Sequence, residues 1–560
     1  MKDLLKKYVL QNILKYGKPD KHSIIGKIFA ENPRLKDKKA AIFKELDAVI
    51  ASVASLSKPE QEKEFSVYAG SFQPPQQRER NIVSSKQFRP LPELPAVEGR
   101  EHIFRIEISP SGAGTHIGRG ILLLLNAEYA KKYKGKFIVR ISDTDPDKVD
   151  PAAYQVIVEE AKWLTENKVD EVIIQSERMD IYYLYAKQLI DLKKAYVCTC
   201  AVESFRELIL KQEACPCRDL SAKEQTVRWH QMFTTYQQGE AVLRVKTDLQ
   251  HPNPAVRDWP AFRINESEHV RQGKKYRVWP LMNFAVPVDD HENGMTHIIR
   301  GKDHIVNKDR QLYIYKYFDW WVPHFVHIGK INFVGMKLKT SLTKEEIKNK
   351  KYAGWDDIKL PFVGALRRRG FLPASLIKYA HEIGPSKVDK TVPYDTFMQA
   401  IASYNKEFID ASTKRYFFVE KPKKITIKGA PNITAHAPLH PDDPSKGERI
   451  LETGKDFYIQ DTLEKNKLYR FMHLFNFKNK TFHSEPYDQA LKATLIHWLP
   501  VCDDLVPVWI HCQDGTVKKG LGEPGLRDLK VHEIIQFERV GFCKLDAKEK
   551  DKLIFWYGHR

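Results

Sequence analysis

Between an apolar strand-like run and a helix-like run lies Ser109-Pro110-Ser111-Gly112-Ala113-Gly114-Thr115-His116-Ile117-Gly118-Arg119-Gly120. Small residues let a ligand approach the backbone there, and the free N–H groups of a helix start favour phosphate oxygens. By itself this is a weak signal, and a histidine such as His116 more often caps or lines a fold than takes part in a reaction. A second constellation is Cys198-x-Cys200 with Cys215-x-Cys217, four thiols within 20 residues. They suffice for a tetrahedral structural zinc site with bonds of about 2.3 Å, the alternative being four unliganded thiols in a reducing compartment. A third is basic. Arg367-Arg368-Arg369 and the lysines of the C-terminal part suit phosphate contacts, and Trp509, Phe477 and Tyr469 are candidates for stacking on unpaired bases. Singly, such residues are more often solvated charges or core aromatics.

Lys plus Arg number 91 against 72 Asp plus Glu in 560 residues, a formal net charge of +19. Such a field attracts polyanions such as nucleic acid, but it also keeps a basic enzyme in solution, so charge leaves both readings open. Apolar residues at 42% and charged residues at 29% give the balance of a globular protein and exclude a disordered or fibrous one. The longest purely aliphatic stretch, Ile121 to Leu125, is far below the roughly 18 residues that cross a bilayer, and the first residues lack a signal-peptide core. No membrane partner is expected. Seven cysteines, an odd number with four clustered, argue against a disulfide framework and for a cytoplasmic, reducing setting.

The elements that must position these residues follow from periodicity. Ile103-Phe104-Arg105-Ile106-Glu107-Ile108 reads as a strand, Ile117 to Tyr133 as a helix, and Lys136 to Ile141 as the next strand, a unit of the length of a right-handed parallel crossover. Tyr154, Ile157, Ala161 and Leu164 then mark a helical stripe, and Val172-Ile173-Ile174 a buried strand,. The expected fold is multidomain α/β, with a doubly wound, Rossmann-type parallel-sheet domain over residues 97–344, in which the glycine-rich loop sits at the carboxyl ends of the strands. An insertion spans about 196–280, after which strand-like runs resume at Asn283 to Val288 and Thr296 to Arg300,. Residues 1–96 read as a helical extension and linker, the linker composition running from Ser57 to Gly99,. Residues 345–407 read as a helical connector, and 408–560 as an all-β region with short runs separated by turn residues.

The motifs Ser109-Pro110-Ser111-Gly112 with His116-Ile117-Gly118-Arg119, Arg140-Ile141-Ser142-Asp143-Thr144-Asp145-Pro146 and Gln175-Ser176-Glu177-Arg178 resemble, in order and spacing, the active-site elements of class I glutamyl- and glutaminyl-tRNA synthetases. Ala195-Tyr196-Val197-Cys198-Thr199-Cys200, Cys215-Pro216-Cys217-Arg218, His251 to Trp259, Val288-Asp289-Asp290-His291 and Trp355-Asp356-Asp357 look like the archaeal-type glutamyl enzymes. The resemblance extends over nearly the whole chain. It implies ATP-driven activation of glutamate, with Mg2+, followed by transfer to tRNA(Glu), with tRNA(Gln) left open, and β-barrels at the C-terminus that read the anticodon. By match to the family, His116 acts on the α- or β-phosphate, Gly118 leaves room for adenine, and Gly112, Gly114 and Arg119 border the ATP. Arg105, Ser109 and Arg300 fall at the amino-acid pocket, where a guanidinium at 300 favours glutamate over uncharged glutamine. The cysteine quartet matches a zinc knuckle that folds the insertion for the tRNA acceptor end.

Departures from the family pattern accompany these matches. Arg119 stands where the family has a second histidine, and Ser142 where it has an acid that contacts the substrate ammonium. Thr340 stands at the lysine of the mobile loop, here Lys337-Leu338-Lys339-Thr340-Ser341. A hydroxyl cannot neutralise a developing pyrophosphate, so Lys339 or Lys337 is expected to substitute after a small loop shift. Three readings follow: an active glutamate-tRNA ligase, a tRNA-binding relative with weakened or lost activation, and a transferase using another acceptor. The full C-terminal region argues against the third.

Overall fold

The computed structural model describes residues 2–16, 19, 21–31, 39–69, 88–335 and 340–560. They divide into two units, Met1–Gln87 and Phe88–Arg560. In the first, helices α1 (Lys2–Tyr16), α2 (Lys21–Glu31), α3 (Lys39–Ala54) and α4 (Lys58–Ala69) enclose a core of Leu5, Val9, Ile28, Ile42, Leu46 and Val53. Helix α4 corrects the expectation of linker from Ser57 onward. Ser57 and Glu60 form one half of a capping box, Glu60 accepting from both the Ser57 amide at 2.8 Å and its hydroxyl at 2.6 Å,. Composition hid a local start signal. Residues 70–87 lie outside the described residues. Residues 88–99, also expected as linker, belong to the second unit and pack against it: Leu91 is buried, and its carbonyl accepts from Lys132 Nζ at 2.6 Å.

The second unit is built on strands β1 (Ile103–Ile108), β2 (Lys136–Ile141) and β3 (Glu171–Ile174), with helices α5 (Ile117–Lys132), α6 (Ala153–Leu164) and α7 (Met179–Asp191). The chain then leaves the sheet for β4 (Ala195–Cys198), β5 (Val242–Val245), β6 (Pro260–Ile264) and β7 (Val278–Pro280), an antiparallel sheet carrying α8 (Val202–Lys211) and α9 (Ala222–Thr234). It returns through α10 (Met282–Glu292), β8 (His297–Gly301), α11 (Ile305–Tyr317) and β9 (His324–Ile328). The expected strand at Asn283 to Val288 is therefore α10. Phe284, Ala285, Val286 and Val288 are all buried, and a short run buried on every side carries no period to tell helix from strand.

The main sheet runs β3-β2-β1-β8-β9, all parallel. Strand order reverses between β1 and β8, and such a reversal opens a crevice at the carboxyl ends of the strands.

From Lys414 on, the described elements are strands and single turns. One seven-stranded sheet has Lys414–Tyr416 at one edge and Phe418–Glu420 at the other. Only the buried Phe417 separates these two edge strands along the chain, so the sheet must curl until its edges approach, as a nearly closed barrel does. Residues 423–500 add smaller sheets around Phe457, Phe471, Phe475, Phe477 and Trp498. Phe477 and Tyr469 are thus core residues and not free stacking platforms, whereas Trp509 is partly exposed, with Lys519 Nζ 4.0 Å and Lys552 Nζ 4.4 Å from its ring centre.

Candidate active site at the switch point of the sheet

His116 caps helix α5, and its Nδ1 accepts the Arg119 amide at 3.2 Å. That bond leaves Nε2 to carry the proton. Burial, reinforced by the Arg119 charge, pushes the imidazole down to about 4, so a neutral ring offers one N–H donor to the space in front of it. The preceding loop is fastened on two sides. Glu160 of α6 accepts from the Thr115 amide at 2.8 Å and the Gly364 amide at 3.0 Å, while the Val363 amide donates to the Thr115 carbonyl at 2.9 Å.

In front of His116 opens a cavity of about 660 Å³ bordered by Glu107, Gly118, Arg119, Gly301, Asp303 and His304, among others. A second, of about 250 Å³, adjoins it at Glu107, Arg119, Gly301 and His304, and reaches Arg105, Ser109, Ser142 and Arg300. Six of the sequence-predicted residues, Arg105, Ser109, His116, Gly118, Arg119 and Arg300, therefore face one continuous crevice. Gly112 and Gly114 border neither cavity. A Cβ on Gly112 would fall 2.4 Å from the Thr340 methyl and 2.7 Å from the Trp355 ring, and one on Gly114 2.8 Å from Phe362 and Trp355. What demands glycine there is the chain's own packing. Lys337 and Lys339 lie outside the described residues.

The two pocket arginines differ. Arg105 is clamped by Asp290, Nε to Oδ1 at 2.5 Å and one terminal nitrogen to Oδ2 at 2.9 Å, so its fork is mostly occupied. Arg300 gives one hydrogen bond, to Gln311 at 3.0 Å, and its Nε and second terminal nitrogen are buried without a partner. Burial, with Arg105 nearby, lowers it to about 10, still charged at neutral pH. Two orphan nitrogens on a buried guanidinium are the geometry that accepts a carboxylate,. The Arg119 side chain likewise has no hydrogen bond or ion pair among the described residues.

Around this crevice the motif residues act as joints. Asp143 accepts from the Ser176 amide at 2.8 Å, its hydroxyl at 2.7 Å and Tyr154 at 2.7 Å. Thr144 donates to the Pro280 carbonyl at 2.9 Å and Arg263 to Asp145 at 2.6 Å, which holds the insertion against the sheet. Asp289 binds Arg140 at 2.6 Å, and Arg178 and Tyr182 at 2.7 Å each. Sequence reasoning assigned no role to Glu107, His304 or Gln311. For Glu107 a signal existed: a charge two residues from Arg105, in a strand otherwise Ile and Phe.

In the insertion, the four sulfurs of Cys198, Cys200, Cys215 and Cys217 lie within 4.8 Å of one another. The Cys198–Cys215 and Cys200–Cys217 separations are 3.9 and 3.7 Å, close to the roughly 3.8 Å edge of a tetrahedron with bonds of about 2.3 Å. No helix among the described residues is long and apolar enough to cross a membrane. Of Arg367-Arg368-Arg369, only Arg367 is left for a partner outside the protein. Arg369 is buried on the Tyr557 and Gly558 carbonyls and Gln513, and Arg368 clasps Asp546 and Asp356.

Residues 104–410 match the family described as tRNA synthetases class I (E and Q), catalytic domain. Residues 413–496 and 495–546 match two anti-codon binding domains of the same class. The chain is 41% identical over 579 residues to the glutamate–tRNA ligase of Pyrococcus abyssi, covering 99% of each chain. It is 39% identical over 572 residues to that of Methanocaldococcus jannaschii, covering 100% of each.

Proposed function

Since the chain belongs to the class I tRNA synthetases of the glutamate and glutamine group, we propose that it is a glutamate–tRNA ligase acting on tRNA(Glu). The observation that carries this reading is the half-empty Arg300 fork opening onto the crevice that His116 borders. Arg300 takes a carboxylate of glutamate, which an uncharged amide could not replace without leaving buried N–H charge unmatched. Gly118, His116 and Arg119 face the ATP. A carboxylate oxygen of glutamate bonds to the α-phosphorus of ATP, the bond to pyrophosphate breaks, and the departing electron pair stays on pyrophosphate. The His116 Nε2–H and the Arg119 charge meet the negative charge that grows on the phosphate oxygens. Mg2+ bound with the nucleotide supplies further charge neutralisation. A terminal hydroxyl of tRNA then attacks the mixed anhydride and AMP leaves.

Arg119 supplies the fixed positive charge that a second histidine would give only when protonated. Lys339 or Lys337 is the second cation: loss of pyrophosphate exchange in Lys339→Ala with Lys337→Ala tolerated identifies Lys339, and no effect of either ends the idea. The cysteine quartet holds a structural Zn2+ that folds the insertion. Chelation would lower the melting temperature of the wild type and leave that of Cys215→Ser unmoved.

The test of the function is aminoacylation with labelled glutamate on separate tRNA(Glu) and tRNA(Gln) transcripts, with pyrophosphate exchange measured beside it. Product on tRNA(Glu) is expected. Binding of tRNA with neither exchange nor product would favour the relative that has lost activation.

A further inference from the structure

Two acids border the crevice, Glu107 and Asp303, and only Glu107 also borders the smaller cavity that Arg300 lines. Across four parallel strands, at one level near their carboxyl ends, stand Arg140 on β2, Glu107 on β1, Arg300 on β8 and His327 on β9. Glu107 pairs laterally with Arg140, and Arg300 with His327. The register that sets Phe104 beside His297 brings Glu107 level with Arg300.

The two buried acids beside this row, Asp289 and Asp290, are fully engaged, and Asp303 lies exposed at the rim of the larger cavity, 3.8 Å from Lys330. Asp289 holds Arg140, Arg178 and Tyr182, Asp290 holds Arg105, and neither side chain is accessible. Glu107 differs. Its side chain is 19% exposed, and it borders both parts of the crevice. Its ion-pair distances are long, 3.3 Å to Arg140 and 3.7 Å to Arg105. Its short hydrogen bond comes from the Ser142 hydroxyl at 2.9 Å, and that hydroxyl is itself held by Arg140 at 2.5 Å. Burial by itself would raise the Glu107 carboxyl; the Arg140 and Arg105 charges and the Ser142 bond outweigh it and hold the group below its ordinary value. It stays ionised, with an edge turned to the cavity.

One open carboxylate beside one half-open guanidinium complements a molecule carrying an ammonium and a carboxylate. Ser142 follows β2 directly, its amide donates to the Ile108 carbonyl at 2.9 Å, and its side chain meets Glu107. A carboxylate at 142 and one at 107 thus reach the same volume from neighbouring strands. We propose that Glu107 binds the α-ammonium group of the amino-acid substrate, taking over from the strand next door the charge that Ser142 cannot provide. Ser142 and Arg140 are positioning residues that aim the carboxylate. This rests on the glutamate reading of the crevice.

The experiment is calorimetric binding of L-glutamate and of glutarate, which lacks the ammonium, to the full chain, to Glu107→Gln and to the strand-exchanged Glu107→Ser/Ser142→Glu. The wild type is expected to bind glutamate at least tenfold more tightly than glutarate. Glu107→Gln should weaken glutamate about thirtyfold and leave glutarate within about twofold. The exchanged pair should regain most of the preference. Equal weakening of both ligands in Glu107→Gln, or none, would overturn the proposal. If Glu107→Gln does not fold, the exchanged pair decides: loss of its preference for glutamate counts against the proposal, and retention supports it. A wild type that binds no glutamate would overturn the functional reading instead.

Discussion

The crevice and the joint between residues 363–369 and the C-terminal barrel use the same side chain to opposite ends. At the joint, Arg369 places every arm of its fork on a partner: Tyr557 O at 3.2 Å, Gln513 at 2.8 Å and Gly558 O at 2.7 Å. In the crevice, Arg300 is as deeply buried but leaves two nitrogens empty. A buried donor without an acceptor costs stability. A fold that keeps one beside a cavity therefore holds it for a ligand, while a saturated fork holds the protein together.

The largest expected effect separates the two arginines outright. Arg300→Leu should lower glutamate-dependent pyrophosphate exchange about a thousandfold, about 4 kcal/mol of transition-state stabilisation, with the urea midpoint unchanged or raised. Equal loss of stability would erase the distinction. Arg369→Ala should do the reverse, destabilising by about 3 kcal/mol by chemical denaturation while exchange per folded molecule stays within about threefold.

Carboxylates sharpen the same contrast. Glu160 is saturated by two backbone amides, and burial nevertheless raises it to about 7. Because its folded pKa lies above the ordinary value, its contribution is complete below about pH 4.5 and is lost as pH rises through 7, on the order of 3 kcal/mol,. Denaturation midpoints at pH 5 and pH 8 should show that fall, and Glu160→Gln should flatten it. The smallest effect belongs to Arg368, half-exposed and 3.2 Å from Asp546 and Asp356. Arg368→Ala should cost less than about 1 kcal/mol and leave exchange unaltered.

Much of this was legible along the chain. The strand, loop and helix around Ser109 to Gly120 follow from β-branched runs, small residues and a helical stripe, and the cysteine spacing marks the sulfur cluster. Helix α10 escaped because its apolar run is buried on every side, and α4 because its start signal is a single capping pair inside a linker-like composition. The arginine triplet looked like an RNA contact because nothing local distinguishes a solvated guanidinium from one capped by carbonyls nearly two hundred positions downstream.

By itself, the order of residue types determined the parallel sheet, the location of its glycine-rich loop, the thiol quartet and the excess of positive charge, since each depends on neighbours a few positions away. Only the folded chain decided which groups are open. Whether Arg300, Arg369 or Glu107 meets a partner depends on strands brought alongside from far away in sequence, and hydrogen bonds form between whatever the register sets opposite. The β1–β2 pairing is what placed Glu107 against Ser142, and so decided which negative charge stands in the cavity that Arg300 lines.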